Sequence, residues 1–246
     1  MNNFVLHKCK DGTTFLLDTY DLIACGILSS DQWEPEVEDF YTKIIDSNFS
    51  IIDIGANIGY HTVKFANLGK EVYAFEPAKD NFHQLGCNLL INNVLDKVKP
   101  YQLALSNVNE ELGIIFRETF SGENGLWSKV TKEDILTNKG GTVLGDTDNN
   151  DIKAIPLDSL NLSPDLIKID VEGYELRVLQ GSLKTIKKNL PIILIEIHEN
   201  EDKENILSLF KDLDYELFNL EVWPFKADYV AYHKDSKVKQ IMKSAI

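Results

Sequence analysis

A chain of 246 residues, 43% hydrophobic and 26% charged, carries enough apolar material for one α/β domain and too little length for two independent ones. Its net charge of −14 argues against nucleic acid as a partner, because phosphate binding rests on Lys and Arg and on counterion release. No apolar run approaches the roughly 20 residues of a membrane-spanning helix, and the start, MNNFVLHKCKDGTTF, lacks the basic and apolar regions of a secretory signal, so a cytoplasmic protein is expected.

In chain order, FVLHK and TTFLLD predict a small hairpin around Asp11-Gly12, followed by a helix from about Glu34 to Asp46. Residues 1–48 read as an N-terminal cap on the domain that follows. From residue 49, strand-length apolar runs alternate with helical patterns, the signature of a mostly parallel sheet covered by helices. FSIIDIG is the first strand, residues 59–68 a helix, and EVYAFEP a second strand stopped by Pro77. A helix from Ala78 to Asn92 leads to VKPYQLAL, the third strand. DLIKID, a helix after Glu175, PIILIEIH, a helix through ENILSLFKDL, and the strand pair YELFNL and DYVAYH complete the domain at about residue 234. Residues 118–151, dense in Gly, Asn, Asp and Thr, form an insert of the length used for lids and binding loops. Residues 235–246 are a basic, solvated tail.

Cys9, Cys25 and Cys87 have no short pairing and no metal-type spacing, and read as buried free thiols of a reducing compartment. His7, His83 and His233 have no acidic constellation in the sequence around them and are assigned no role. His61 reads as a helix-start residue packing over the ligand site.

The turn Asp53-Ile-Gly55-Ala-Asn57-Ile-Gly59 ends a buried strand and opens a helix, where glycine lets a ligand approach the backbone closely. The dinucleotide pattern G-x-G-x-x-G is absent, which disfavours a dehydrogenase. An acid before the turn repels a diphosphate and welcomes an ammonium group. Glu76 ends the second strand, where an acid accepts hydrogen bonds from ribose hydroxyls. An amine together with a ribose points to S-adenosylmethionine. In the second cluster, IKIDVEGYE, Asp170 is directed toward the reactive methyl, Glu172 toward the acceptor, and Glu175 caps the next helix. Glu196 and His198 share one face of their strand, and with Asp170 they are the candidates for taking the acceptor's proton. The same three residues suit a hard divalent cation, an alternative left open because no ligand spacing here is diagnostic. Trp127, with Trp33 and Phe120, is a candidate platform for a sugar ring.

Taken together, IIDIGANIGYHT, VYAFEP, LALSN, PLDSL, LIKIDVEGYE and ILIEIH, in that order from about Ile51 to Glu221, resemble the FkbM-type S-adenosylmethionine-dependent methyltransferases. The resemblance implies a class I methyltransferase fold, a Rossmann-like α/β three-layer sandwich with a mostly parallel seven-stranded sheet whose last strand is antiparallel. It implies O-methylation of a sugar or small-metabolite hydroxyl. Carried over by position, Asp53, Gly55, Asn57 and Gly59 would surround the methionine part and Glu76 the ribose, while Gln102, Leu103, Ala104 and Leu105 would edge the adenine. The alternatives are an amine, carboxylate or protein side chain as acceptor, or a nucleotide-binding module without transfer chemistry.

Overall fold

The computed structural model describes residues 4–117, 141–145, 152–198, 202–222 and 226–235. Strands β1 (Phe4–Lys8) and β2 (Thr14–Asp18) form the expected antiparallel hairpin, and helices α1 (Leu22–Ser30) and α2 (Pro35–Ile44) follow it. The sequence reading passed over α1, although its start signal is present: the Asp21 carboxylate accepts the Ala24 N–H at 3.0 Å.

The domain proper then runs through β3 (Ser50–Ile54), α3 (Tyr60–Leu68), β4 (Glu71–Phe75), α4 (Lys79–Ile91) and β5 (Val98–Tyr101). Strands β6 (Ala104–Leu105), β7 (Glu110–Arg117), β8 (Gly141–Gly145) and β9 (Ile152–Ile155) come next, and β10 (Leu166–Ile169), α5 (Glu175–Gln180) and α6 (Leu183–Asn189) return to the main sheet. The described chain ends with β11 (Ile192–His198), α7 (Lys203–Asp212), β12 (Tyr215–Val222) and β13 (Lys226–His233). The seven-stranded sheet has the order β12-β13-β11-β10-β3-β4-β5. Its pairs from β11 to β5 are parallel, and β13, the last strand, runs against both neighbours. Residues of α1 to α4 share one core with this sheet, including Ala24, Phe40, Phe65, Leu85, Ile51 and Leu166. Residues of α5, α6 and α7 share another with the opposite strand faces, including Val178, Ile186, Phe210, Ile52 and Ile167. These are the three layers, and their α/β class and antiparallel last strand are as the sequence implies.

Four expectations need correction. VKPYQLAL is not one strand: β5 ends at Tyr101, and β6 leaves the main sheet to pair with β9 in a four-stranded sheet of order β6-β9-β7-β8. Proline at position 100 is tolerated because β5 is the edge strand. The helix after Glu175 is two short helices separated by Gly181-Ser182. The insert is not all loop, since Gly141–Gly145 pairs antiparallel with β7. The rest of residues 118–151, including Phe120 and Trp127, lies outside the described residues, as does the tail from 236 on. Finally, Cys25 and Cys87 are exposed, and only Cys9 is a buried thiol.

The hairpin is tied to the domain by side chains that imitate a strand. Asn92 bonds both the N–H and the C=O of Thr14, at 2.9 and 2.7 Å. Asn88 accepts the Leu16 N–H at 2.7 Å and donates to the Ile58 carbonyl at 2.8 Å. Asparagines four apart, Asn88 in α4 and Asn92 at its C-cap, thereby satisfy the open edge of β2, whose backbone groups would otherwise be stranded. Asn88 is fully buried. Replacing it by alanine leaves several buried polar groups unpaired, and urea unfolding should show a loss of about 2–4 kcal/mol; a loss below about 0.5 kcal/mol would mean the edge is satisfied another way.

Candidate active site

Strands β3 and β10 lie side by side with Asp53 opposite Lys168. Alternation places Asp53, Lys168 and Asp170 on the face covered by α1 to α4. Lys168 is 5% exposed, and its Nζ donates to Asp170 Oδ2 at 2.8 Å. Burial works against an ammonium there, but Asp170, Glu34 and Asp53 outweigh it and hold the Lys168 pKa above its ordinary value. Asp53 sits beneath the turn rather than on its surface: it is 1% exposed, and the Thr62 hydroxyl donates to its Oδ2 at 2.5 Å. Burial raises its pKa, with Lys168 and Thr62 opposing.

The turn itself is built as the sequence suggests, but for a further reason. Gly55 and Gly59 have φ of 82° and 87°, and Asn57 is also left-handed at 49°. A Cβ on Gly55 would stand 1.8 Å from the Asp170 carbonyl oxygen. The approach of two strand ends therefore demands this glycine, independently of any ligand. Glu76 leaves the end of β4 and accepts the N–H groups of Asn57 and Ala78, each at 2.8 Å, which fixes the carboxylate under the turn. Those bonds lower its pKa, yet burial dominates and pushes it up to about 7. A carboxylate offers about four lone-pair sites, so two backbone bonds leave Glu76 capacity for ribose hydroxyls.

Of the expected adenine contacts, Gln102 is exposed and Leu103 half-buried. Ala104 and Leu105 are 2% exposed, and Leu105 packs with Ile52, Ile54 and Phe75 in the core.

The second cluster converges at the ends of β10 and β11. His198 Nε2 stands 2.7 Å from Glu196 Oε2 and 3.7 Å from Glu172 Oε2. Burial disfavours a charged imidazole, but Glu196, Glu175 and Glu172 prevail and raise the His198 pKa. Glu175, the first residue of α5, accepts the Gly173 N–H at 2.7 Å, a bond to the turn before the helix rather than to the helix's own first N–H groups, and burial lifts its pKa to about 7. Glu172 adopts a left-handed φ of 54°, uncommon for a glutamate.

Glu34 was not foreseen as a site residue. It comes from the cap, where its φ of 50° starts α2. Its Oε2 stands 3.0 Å from His61 Nε2, and carboxylate oxygens of Glu34, Asp170 and Glu196 lie within 4.8 Å of one another. Burial would raise its pKa, but Lys168 and His61 hold it below the ordinary value. His61 is thus paired with Glu34 and with the Tyr41 hydroxyl at 3.3 Å. Glu172, Glu196 and His198 likewise present donor atoms within 4.8 Å of one another, so either group is compatible with a cation.

Comparison with known proteins identifies the family. The model of the "Methyltransferase FkbM domain" matches residues 53–220. The hexuronic acid methyltransferase AglP of Haloferax volcanii is 29% identical over 160 residues, covering 65% of this chain and 60% of that protein. The methyltransferase sdnD of Sordaria araneosa is 31% identical over 160 residues, 56% of this chain and 61% of that one. The chain therefore spans about three fifths of the length of these curated relatives. Among solved structures, an FkbM methyltransferase from Methylobacillus flagellatus KT superposes with TM-score 0.54 at 17% identity, covering 76% of this chain and 44% of the other. The structure of M. jannaschii tRNA m1G37 methyltransferase gives TM-score 0.54 at 11% identity, covering 96% of this chain and 58% of the other. Those structures speak to the fold alone, whereas the family model spans most of the chain: this protein belongs to the FkbM methyltransferase domain family.

Proposed function

We propose that the chain is an S-adenosylmethionine-dependent O-methyltransferase acting on a hydroxyl of a sugar, a glycan or a related small metabolite. The observation that carries this reading is the imidazole of His198, held by Glu196 at 2.7 Å, on the same sheet rim as Asp170 and the glycine turn. The donor set suits the cofactor: Glu76 has acceptor capacity for a ribose, and Asp53 and Asp170 supply negative charge for a sulfonium and an ammonium. When bound, the cofactor supplies a methyl group open to direct displacement.

The work left to this chain is positioning and proton transfer. Gly55, Asn57 and Gly59 shape the turn, and Asp53 acts from beneath it through its charge. Glu196 engages Nε2 of His198, which leaves Nδ1 to take the acceptor's hydroxyl proton. Asp170, fixed by Lys168, orients the acceptor, and Glu172 borders the acceptor side. Sugar methylation is supported by the name of the Haloferax volcanii relative, a hexuronic acid methyltransferase. A second reading, an amine acceptor, draws on the acidic rim of Glu34, Asp170, Glu172 and Glu196. No described helix is long and apolar enough to cross a membrane.

Thermal shift ranks the cofactors, because a ligand selective for the native state raises Tm by mass action. S-adenosylmethionine and S-adenosylhomocysteine should both raise it; protection by NAD alone refutes the reading. A screen of methyl acceptors with mass spectrometry of the products then separates oxygen from nitrogen transfer.

Ribose hydroxyls donate to a carboxylate, so cofactor binding favours ionised Glu76. With its pKa near 7 in the free protein, affinity for S-adenosylmethionine should rise as pH increases from about 5.5 to about 8, and calorimetry of Glu76→Gln should show weaker binding with a flattened pH profile.

Once an acceptor is in hand, His198→Asn should lower kcat by roughly 10²–10⁴ while cofactor affinity stays nearly unchanged. Because the raised His198 pKa makes the base protonated at low pH, wild-type kcat/KM should increase with pH through that pKa. Unchanged turnover in both His198→Asn and Asp170→Asn would remove both from the mechanism.

A further inference from the structure

The cap contains a second convergence of donor atoms, remote in sequence from the rim. His7 and Cys9 are two apart at the end of β1, so their side chains fall on one side of it. Asp31, the left-handed cap residue of α1 with φ of 67°, turns its carboxylate toward them. His7 Nε2 stands 2.6 Å from Asp31 Oδ1, and one donor atom from each of His7, Cys9 and Asp31 lies within 4.8 Å of the other two. The sequence assigned His7 no acidic neighbour and Cys9 no metal-type spacing. The structure supplies both, because the acid arrives across the hairpin from the far end of α1.

We propose that His7, Cys9 and Asp31 form a site for a zinc-class divalent ion. The donor set decides the class. A thiolate with an imidazole and a carboxylate suits Zn²⁺, whereas Mg²⁺ and Ca²⁺ take oxygen ligands only. Three protein donors leave one tetrahedral position, which a water fills from the half-exposed side where His7 and Asp31 meet solvent. Loading displaces the thiol proton of Cys9 to solvent and replaces the direct His7–Asp31 contact by two bonds to the metal. Lys10, whose Nζ is 3.0 Å from Asp31 Oδ2, has an 87% exposed side chain and swings aside freely. Thr13, buried in the turn just before β2, hydrogen-bonds Cys9; burial raises the thiol's pKa, Thr13 opposes that rise, and a bound metal would stabilise the thiolate further. An ion here would clamp the hairpin onto α1, immediately before the segment that delivers Glu34.

The test uses the full chain after removal of metal by a chelator. Zn²⁺ titrated against a chromophoric competitor should bind at one equivalent and raise Tm. Co²⁺ should give the near-ultraviolet sulfur-to-metal band and the intense visible bands of a tetrahedral thiolate site. Cys9→Ser should abolish the sulfur band and weaken Zn²⁺ binding by at least about 100-fold, beyond the roughly 10–100-fold cost of losing a supporting outer-shell partner. His7→Ala should weaken binding comparably, and Cys25→Ser with Cys87→Ser, at the exposed thiols, should change nothing. Circular dichroism of Cys9→Ser establishes that the fold persists, and Asp31→Asn serves as the second variant if it does not. Absence of stoichiometric Zn²⁺ binding overturns the proposal. So does binding that survives Cys9→Ser and is lost in His198→Ala, which would place the ion on Glu172, Glu196 and His198 instead.

Discussion

A single buried ammonium organises the rim. Lys168 lies in the third position of a core strand, 5% exposed, where an unpaired charge would be prohibitive. It is tolerated because Asp170 bonds it directly and Asp53 and Glu34 add their fields. The dependence runs both ways: without the lysine, these carboxylates would be crowded together in a region of low polarity with little to offset their repulsion. The lysine therefore sets the charge state of the rim on which any cationic cofactor must settle.

The N-terminal cap is part of this arrangement rather than a cover. Helix α3 is buried over Tyr60 to Ala66, polar residues included. Three of its polar side chains, Tyr60, His61 and Lys64, reach into the cap, while Thr62 turns to Asp53. Tyr60 donates to Glu38 at 2.5 Å, His61 meets Glu34 at 3.0 Å, and Lys64 contacts Asp11 and, at 3.2 Å, Glu38. A helix that is mixed in hydropathy all round finds partners on both sides. The same helix begins at the glycine turn, so the cap, the turn and the rim are mechanically continuous.

Much of this was legible in the sequence wherever the signal is local. Periodicity located the hairpin, the strands of the main sheet and most helices, though not β7, β8 or β9, and strand-end acids marked the rim at Asp53, Glu76 and Asp170. What escaped was set by contacts distant in sequence. Lys168 in LIKI reads as one polar residue in an apolar strand, and only the neighbouring strand and the cap reveal what neutralises it. Glu34 looked like an ordinary helix start, since nothing local says that its backbone turns left-handed toward Asp170. His7 lacked an acid along the chain because Asp31 approaches it across the hairpin. The break in VKPYQLAL is a topological choice, in which the chain leaves the sheet edge to found a second sheet with residues some fifty positions further on, a pairing no window of sequence contains.

The central claim is that Lys168 holds Glu34 ionised, opposes the upward shift of Asp53 and fixes Asp170 in place, and the direct test is the unfolding free energy of Lys168→Met as a function of pH. Glu34, held below its ordinary pKa in the native protein, contributes stability that is present at neutral pH and lost as pH falls through its folded pKa. The variant lacks that contribution, so it should be less stable than the parent by about 3–5 kcal/mol near pH 7.5, with the gap narrowing as the carboxylates take up protons below about pH 5. A gap that is small at neutral pH, or equally large at every pH, would contradict the account.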